Sequence, residues 1–333
     1  MASGDLTPAA GLMKMIVMTV YRRAATAVVL LGSLVATAAC GTAAPTPAGT
    51  APETLDVVVA FYPFQFVAER VAGDRAQVRN LTSPGAEPHD LELTPRQVGS
   101  VSSADLVIYE RTFQPAVDKA VAQSGNPAVL DTSTVVALQP ASATEGADEH
   151  EGDEHGHGEG GLDPHVWLDP ANMATITAEV ARRLSAADPD HAAEYAGRAT
   201  ALEAELTGLD GEFTAGLARC SRSEFVTTHA AFGYLARRYQ LTQIGISGLS
   251  PDTEPSPARI AEVQIEAQRH GVTTIFYETL VSPAVATSIA ADLGLRTDVL
   301  DPVEGITAES RGTDYLSVMR ANLAALQQAN GCR

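Results

Sequence analysis

The hydrophobic positions after residue 54 form short apolar runs that are separated by helical patterns. Residues 55–61 form an apolar run typical of a strand buried on both faces, and residues 104–109 and 128–130 repeat this character. Because such strands alternate with helices, they predict a parallel α/β sheet. The alternation resumes beyond Cys220, so the 333-residue chain is predicted to be α/β with two lobes.

The second lobe is predicted to contain four strands and four helices. The predicted strands are 224–228, 243–246, 272–277 and 297–300, and the helices are one from 231, 257–270, 283–293 and one from about 313.

One long helix is predicted over residues 189–218, with Asp188 as its N-cap and Pro189 at its first position. Apolar residues follow at spacings of three and four, which places one stripe along about eight turns and a length of ~45 Å. We interpret this stripe as core packing. Its members are Tyr195, Ala199, Leu202, Leu206, Leu209, Phe213 and Leu217.

The first 39 residues resemble a signal peptide. Arg22 and Arg23 precede the apolar segment 24–36, and a small-residue cleavage site ends at Cys40. This arrangement resembles the lipobox of bacterial lipoproteins, in which the cysteine becomes the acylated anchor. We therefore expect an exported protein that is lipid-anchored through Cys40 to the outer face of the cell membrane.

Two features leave alternatives open for this leader. Thr37 stands where a larger aliphatic residue is commoner, so plain secretion with a free Cys40 thiol is the other interpretation. Residues 1–12 fit no signal sequence, and Met13 is an alternative start. The Ala-, Thr- and Pro-rich segment 40–54 is predicted to be a flexible tether.

The remaining cysteines, Cys220 and Cys332, would lie in a compartment that permits disulfides. We predict that they pair, with two buried free thiols as the alternative. A closed loop of ~110 residues would stabilise the fold by roughly 4–5 kcal/mol on the chain-entropy model. The net charge of −19 argues against a nucleic-acid surface.

Three of the eight histidines stand in predicted loops at the end of a strand or beside a proline. His89 and His165 each follow a proline, and His229 follows a predicted strand directly. Ligands of open α/β sheets gather beyond the carboxyl ends of strands, so His229 is well placed for a site. A histidine in a loop is nevertheless more often a surface residue than a ligand, and the spacing of these three forms no local zinc motif.

Five segments connect the three histidines: PGAEPHDLELTP (84–95), ADLVIY (104–109), DPHVWLDP (163–170), TTHAAFGYL (227–235) and LDPVEG (300–305). They resemble the signature segments of the zinc and manganese substrate-binding proteins of ABC transporters. The resemblance implies two lobes joined by one long rigid helix, with the metal held between the lobes.

The resemblance also implies a ligand set. His89, His165 and His229 match the family's three histidine positions, and a histidine at the third position favours zinc over manganese. Glu304 is the expected fourth ligand, with Asp301 or water as alternatives. The segment Arg111–Gln114 departs from the family's glycine-rich pattern, so the family does not predict the conformation of that loop.

The acidic segment 141–162 contains His150, His155 and His157 and resembles the histidine-rich loop of zinc receptors. We interpret it as a mobile auxiliary zinc trap, with a solvated acidic loop as the alternative. The two remaining histidines of the folded part, His191 and His270, are interpreted as helix-surface residues.

The predicted function is a monomeric receptor that binds one Zn²⁺ as cargo and delivers it to an ABC permease and its ATPase. Four protein ligands would close the coordination shell, and no His-Glu-x-x-His motif is present, so we expect no enzyme. Alternatives are a manganese or iron receptor, an adhesin, or a zinc-storage lipoprotein. The expected domains are 1–39 (signal peptide), 40–54 (tether), 55–187 (N-terminal lobe), 188–219 (long helix) and 220–333 (C-terminal lobe).

Overall fold

The structure is a computed structural model that describes residues 54–141 and 161–333. The predicted leader, Cys40 with almost all of the tether, and the three histidines of the acidic segment lie outside these residues. Within the described part of the chain, no helix combines the length and the apolar character needed to cross a membrane.

Each lobe contains one four-stranded sheet in which every pairing is parallel, as predicted. The N-terminal sheet has the order β2-β1-β3-β4 and the C-terminal sheet the order β8-β7-β9-β10. The strands are β1 Leu55–Val59, β2 Ala76–Asn80, β3 Leu106–Tyr109, β4 Val129–Asp131, β5 Gln139–Pro140, β6 Leu162–Asp163, β7 Glu224–Thr227, β8 Thr242–Gly245, β9 Thr274–Tyr277 and β10 Arg296–Val299. Since the two orders match, the lobes share one topology. The short strands β5 and β6 form a separate antiparallel pair.

Nine helices of at least six residues accompany these strands within the described residues. They are α1 Tyr62–Ala72, α2 Pro95–Ser103, α3 Pro115–Ser124, α4 Pro170–Ala187, α5 Ala192–Leu217, α6 Gly233–Arg238, α7 Pro257–Arg269, α8 Ala284–Leu293 and α9 Tyr315–Asn330. In the N-terminal lobe only β1, β3 and β4 were predicted with bounds, and helices were expected between these strands without bounds. The edge strand β2, the short pair β5 and β6, and the helix α4 were not predicted. Strand β2 alternates partly buried and exposed residues and so forms no continuous apolar run.

The long helix is present as α5, and all seven stripe residues are buried along it, which confirms their core role. The helical segment begins at Pro189, as predicted, but its first turn is not α-helical. Residues Pro189–His191 form a 3-10 turn, and the α-helix begins only at Ala192. The Asp188 carboxylate does not cap the helix but accepts hydrogen bonds from His191 Nδ1 and the Tyr195 hydroxyl, both at 2.7 Å. The 26 residues of α5 span ~39 Å.

The described residues belong to one compact unit, in which the two lobes share a continuous hydrophobic cluster. The indole nitrogen of Trp167 donates to the carbonyl oxygen of Pro302 at 2.7 Å, and the Tyr315 hydroxyl donates to the Trp167 carbonyl at 2.6 Å. These contacts join the segment around Trp167 in the N-terminal lobe to the Pro302 loop and to helix α9 in the C-terminal lobe.

The predicted disulfide between Cys220 and Cys332 is present and closes a sequence separation of 112 residues. It joins the segment after α5 to the end of the chain, beside backbone hydrogen bonds from Ser221 and Arg222 to Asn330. The last helix is thereby fixed to the start of the C-terminal lobe.

Candidate metal centre

The structure brings together the four side chains predicted as ligands. His89 and His165 come from the N-terminal lobe, and His229 and Glu304 come from the C-terminal lobe. One atom from each lies within 4.8 Å of the others. Glu304 Oε1 is 3.4, 3.6 and 3.7 Å from the Nε2 atoms of the three histidines. Tetrahedral zinc with bonds of 2.0–2.1 Å separates its ligand atoms by about 3.3 Å, so the distances from Glu304 to the three histidines are close to that spacing.

The His165 ring is oriented by Asp163. Asp163 Oδ1 accepts from both the backbone N–H and Nδ1 of His165, at 3.0 and 2.8 Å. With its proton on Nδ1, the ring directs the Nε2 lone pair into the cluster, in the arrangement common to histidines that bind metals. Both side chains are fully buried.

His229 lies where the strand order of its sheet reverses. It follows β7, and its Nδ1 lies 2.6 Å from Glu278 Oε1, directly after the neighbouring strand β9. The backbone is fixed because the His229 carbonyl accepts hydrogen bonds from Thr227 Oγ1 and Gln243 Nε2. The carboxyl ends of the strands at such a switch point are the expected place for a ligand site.

His89 is the most accessible member of the cluster, with 9% of its side chain exposed. Its loop is held by Gln114, whose Nε2 donates to the Pro88 carbonyl at 3.0 Å. Phe113 packs its ring edge-on against His89 at 4.5 Å. In the segment Arg111–Gln114, which lacks the family's glycines, Thr112 adopts a left-handed φ of 75°. Its N–H donates to Asp118 at 3.1 Å.

Glu304 enters the cluster from a turn that Asp301 organises. Asp301 accepts hydrogen bonds from the Val303 N–H at 2.8 Å and from the hydroxyls of Thr279 and Ser310 at 3.2 and 3.0 Å. Its carboxylate is therefore committed to the turn. Val303 has a left-handed φ of 59°, which is strained for a β-branched residue.

Replacing Asp301 with Ala is expected to weaken zinc binding by about tenfold, since the turn that positions Glu304 loses its acceptor. The loss of three hydrogen bonds, of which the one from Val303 is buried, should also lower the free energy of unfolding by ~1–3 kcal/mol. Chelator competition and urea denaturation measure the two effects. Asp298→Ala is the control, because Asp298 pairs with Arg311 close by. Loss of tetrahedral Co²⁺ absorption in Asp301→Ala would instead identify Asp301 as a ligand.

Two buried nitrogens in the cluster have no hydrogen-bond partner among the described residues. They are Nε2 of His165 and Nε2 of His229. A buried polar atom without a partner is costly, so each of these positions calls for an explanation. A metal bound by both lone pairs and by Glu304 supplies one.

The protonation state of each residue in the cluster depends on its charged neighbours. Burial lowers the pKa of His229, but the carboxylates of Glu278 and Glu304 outweigh burial and raise this pKa to about 10. Burial raises the pKa of Glu304, but His89 and His229 more than offset burial and hold it well below its usual range. Burial lowers the pKa of His165 despite the hydrogen bond to Asp163. Without metal, His229 and Glu304 therefore form a buried ion pair.

Sequence reasoning did not assign three carboxylates that lie at this site. Asp163 and Glu278 orient histidines, and Glu87 Oε1 lies 4.0 Å from His89 Nε2. Burial raises the pKa of Glu87 to about 7, with His89 opposing the shift. Glu278 had a usable signal, because it follows a buried strand directly, as His229 nearly does.

Comparison with known proteins gives a consistent result. The family described as "Zinc-uptake complex component A periplasmic" (ZnuA) matches residues 57–329. The zinc-binding lipoprotein AdcA of Streptococcus pneumoniae is 38% identical over 286 residues, which cover 82% of this chain and 55% of that protein. The chain thus spans about half the length of AdcA. The high-affinity zinc uptake system protein ZnuA of Bacillus subtilis is 33% identical, covering 88% of this chain and 93% of that protein.

A solved structure shares the fold as well. The Zn(II)-bound ZnuA-like domain of Streptococcus pneumoniae AdcA matches with a TM-score of 0.69 and 35% identity, covering 83% of this chain and 99% of that one. The two-lobed α/β fold and the resemblance drawn from the five sequence segments are both confirmed. The family is one of uptake components, in agreement with the expectation of a binding protein and not an enzyme. The chain therefore belongs to the ZnuA family of zinc-uptake components.

Proposed function

We propose that this protein is an extracytoplasmic receptor that binds one Zn²⁺ through His89, His165, His229 and Glu304. The observation that carries the proposal is the pair of buried Nε2 atoms that face Glu304 without hydrogen-bond partners among the described residues. Three imidazoles and one carboxylate suit zinc, whereas manganese favours oxygen ligands. This preference disfavours the manganese or iron receptor considered as an alternative.

Delivery to a cognate ABC permease and its ATPase is the second part of the proposal. It is supported by family membership and by the name of the Bacillus subtilis relative, a zinc uptake system protein. The protein acts as a monomer. It is exported by a signal peptide at 1–39 and is anchored to the outer face of the cell membrane through the acylated Cys40 and the tether 40–54. The name of the AdcA lipoprotein supports this location. The folded part divides into lobes 55–187 and 220–333, joined by 188–219.

Native mass spectrometry tests the binding step. Residues 41–333 are stripped with chelator and then offered equal concentrations of Zn²⁺, Mn²⁺ and Fe²⁺. One tightly retained zinc per chain is expected, because the four-ligand set closes a tetrahedral shell. Preferential retention of manganese or iron would overturn the zinc assignment, and several equivalent zinc ions would indicate a storage protein.

Growth under zinc limitation tests the transport step. Cells that lack the gene should grow poorly in medium with a zinc chelator and recover when zinc is added. The wild-type chain should restore growth, while a Glu304→Gln variant should not. Normal growth and normal zinc uptake without the gene would favour the adhesin or storage alternatives.

A further inference from the structure

The paired strands β5 and β6 form a stem at the base of the acidic segment. Gln139 pairs with Asp163 and Pro140 with Leu162, and the Ala141 N–H donates to the Gly161 carbonyl at 2.9 Å. The second strand of this stem ends at Asp163, the residue that orients His165. Contacts that fix the stem therefore also fix Asp163 and, through it, the His165 ring.

One hydroxyl of the C-terminal lobe bridges both strands of the stem. Tyr234 OH accepts from the Gln139 N–H at 2.8 Å and donates to the Asp163 carbonyl at 3.0 Å. Tyr234 lies on α6, the helix that begins four residues after His229, and it is almost completely buried. Its hydroxyl therefore accepts a hydrogen bond from β5 and donates one to β6.

Arg237, one turn further along α6, contacts the same stem. Its Nη1 donates to the Pro140 carbonyl at 3.2 Å, and its Nη2 lies 3.5 Å from Asp163 Oδ2. The guanidinium also stacks over the Tyr234 ring, 5.0 Å from the ring centre. Asp163 Oδ2 is buried and has no hydrogen-bond partner among the described residues, so Arg237 supplies the opposite charge that a buried carboxylate requires.

We propose that Tyr234 and Arg237 are positioning residues of the metal site. From the C-terminal lobe they hold the stem and the Asp163 carboxylate, and they thereby fix the orientation of His165 in the other lobe. Helix α6 connects the two histidines, because it follows His229 in the chain and reaches Asp163 in space. This inference rests on the proposed zinc site and adds to it two residues that do not touch the metal.

The chain offers a matched control for each residue on the same helix or at its end. Arg238 has 35% of its side chain exposed, against 36% for Arg237. It pairs with Asp210 at 2.6 Å and with Asp169, the N-cap of α4, at 3.2 Å, and neither residue belongs to the stem. Tyr239 likewise donates its hydroxyl to Asp210, at 2.9 Å. Substitutions at Arg238 and Tyr239 remove comparable polar contacts without removing a partner of the stem.

The experiment compares Tyr234→Phe and Arg237→Met with Tyr239→Phe and Arg238→Met in the purified full chain. Zinc affinity is measured by chelator competition, and the ligand geometry is followed by Co²⁺ absorption. Tyr234→Phe and Arg237→Met are expected to weaken zinc binding about tenfold each, the lower end of the range for outer-shell partners. The two control variants should bind zinc like wild type.

A double-mutant cycle separates positioning from general destabilisation. If Arg237 acts through Asp163, Arg237→Met should cause no further loss of zinc affinity in an Asp163→Asn background. The Co²⁺ bands of Arg237→Met should shift as they do in Asp163→Asn and stay unshifted in Arg238→Met. Thermal unfolding of each metal-free variant shows whether it is folded before zinc is added.

Two results would overturn the inference alone while the wild-type chain still binds zinc. One is wild-type affinity in both Tyr234→Phe and Arg237→Met, and the other is an equal loss from Arg237→Met with and without Asp163→Asn. Failure of the wild-type chain to bind zinc would overturn the proposed function and this inference with it, so the two failures are distinguishable.

Discussion

Replacing His229 with Ala is expected to weaken zinc binding by more than about 100-fold. Outer-shell partners of metal ligands are worth about 10–100-fold in affinity, and a direct ligand should exceed them. The substitution also leaves Glu278 without the imidazole that lies 2.6 Å from it and removes the cationic partner of Glu304. Isothermal titration with a competing chelator measures the affinity.

Two further variants make this result specific. Deletion of residues 145–160 removes the three histidines of the acidic segment and should change affinity far less than His229→Ala. His270→Ala is the matched histidine control, because His270 pairs with Glu224, 3.2 Å away, and does not belong to the cluster. A larger loss from the deletion than from His229→Ala would show that the main site has been assigned to the wrong residues.

Much of the fold was predictable from local sequence pattern. Strand β3 is a continuous apolar run, β1 and β9 are mostly apolar, and the stripe of α5 follows a clear helical period. Strand β2 and the first residue of α5 could not be predicted in this way, because neither is determined by hydrophobic spacing. Asp188 has the residue type of a helix cap, but its carboxylate forms hydrogen bonds with His191 and Tyr195, which only the folded chain brings within reach.

The candidate site was predictable to a different degree. Spacing alone did not connect His89, His165 and His229, since they lie on loops of two lobes and meet only in the folded chain. Resemblance to a known family grouped them. The sequence left Asp301 open as an alternative to Glu304, and only the structure shows that the Asp301 carboxylate accepts hydrogen bonds from Val303 and two hydroxyls. The orienting carboxylates needed the structure, because their role depends on contacts within 3 Å.

Zinc affinity is expected to fall about 100-fold between pH 7.5 and pH 5.5. The pKa of His229 is raised to about 10 in the metal-free protein, so its imidazole holds a proton throughout this range. Zinc must displace that proton, and each unit of pH below the raised pKa then costs a factor of about ten. The pKa of His165 is lowered, so this residue stays neutral and adds nothing to the slope.

The slope at and above neutral pH distinguishes a raised pKa of His229 from an ordinary one. Were its pKa near the ordinary value of about 6.5, affinity would be flat above neutral pH, and no proton would be released at pH 7.5. With the pKa raised, calorimetry in buffers of different ionisation enthalpy should detect close to one proton released per zinc. Zinc affinity that does not change between pH 6.5 and pH 7.5 would contradict this account.

Glu278→Gln tests the cause of the raised pKa. This substitution removes the nearer of the two carboxylates that stabilise the protonated imidazole, while the glutamine still offers an acceptor to His229 Nδ1. The pKa of His229 should therefore fall, and proton release on zinc binding should decrease. Because an orienting partner is weakened as well, affinity at pH 7.5 should drop even though competition from protons is reduced. We therefore expect a flatter pH dependence of zinc affinity together with a lower affinity at pH 7.5. This combination is expected because the Glu278 carboxylate both orients His229 and favours its protonated form.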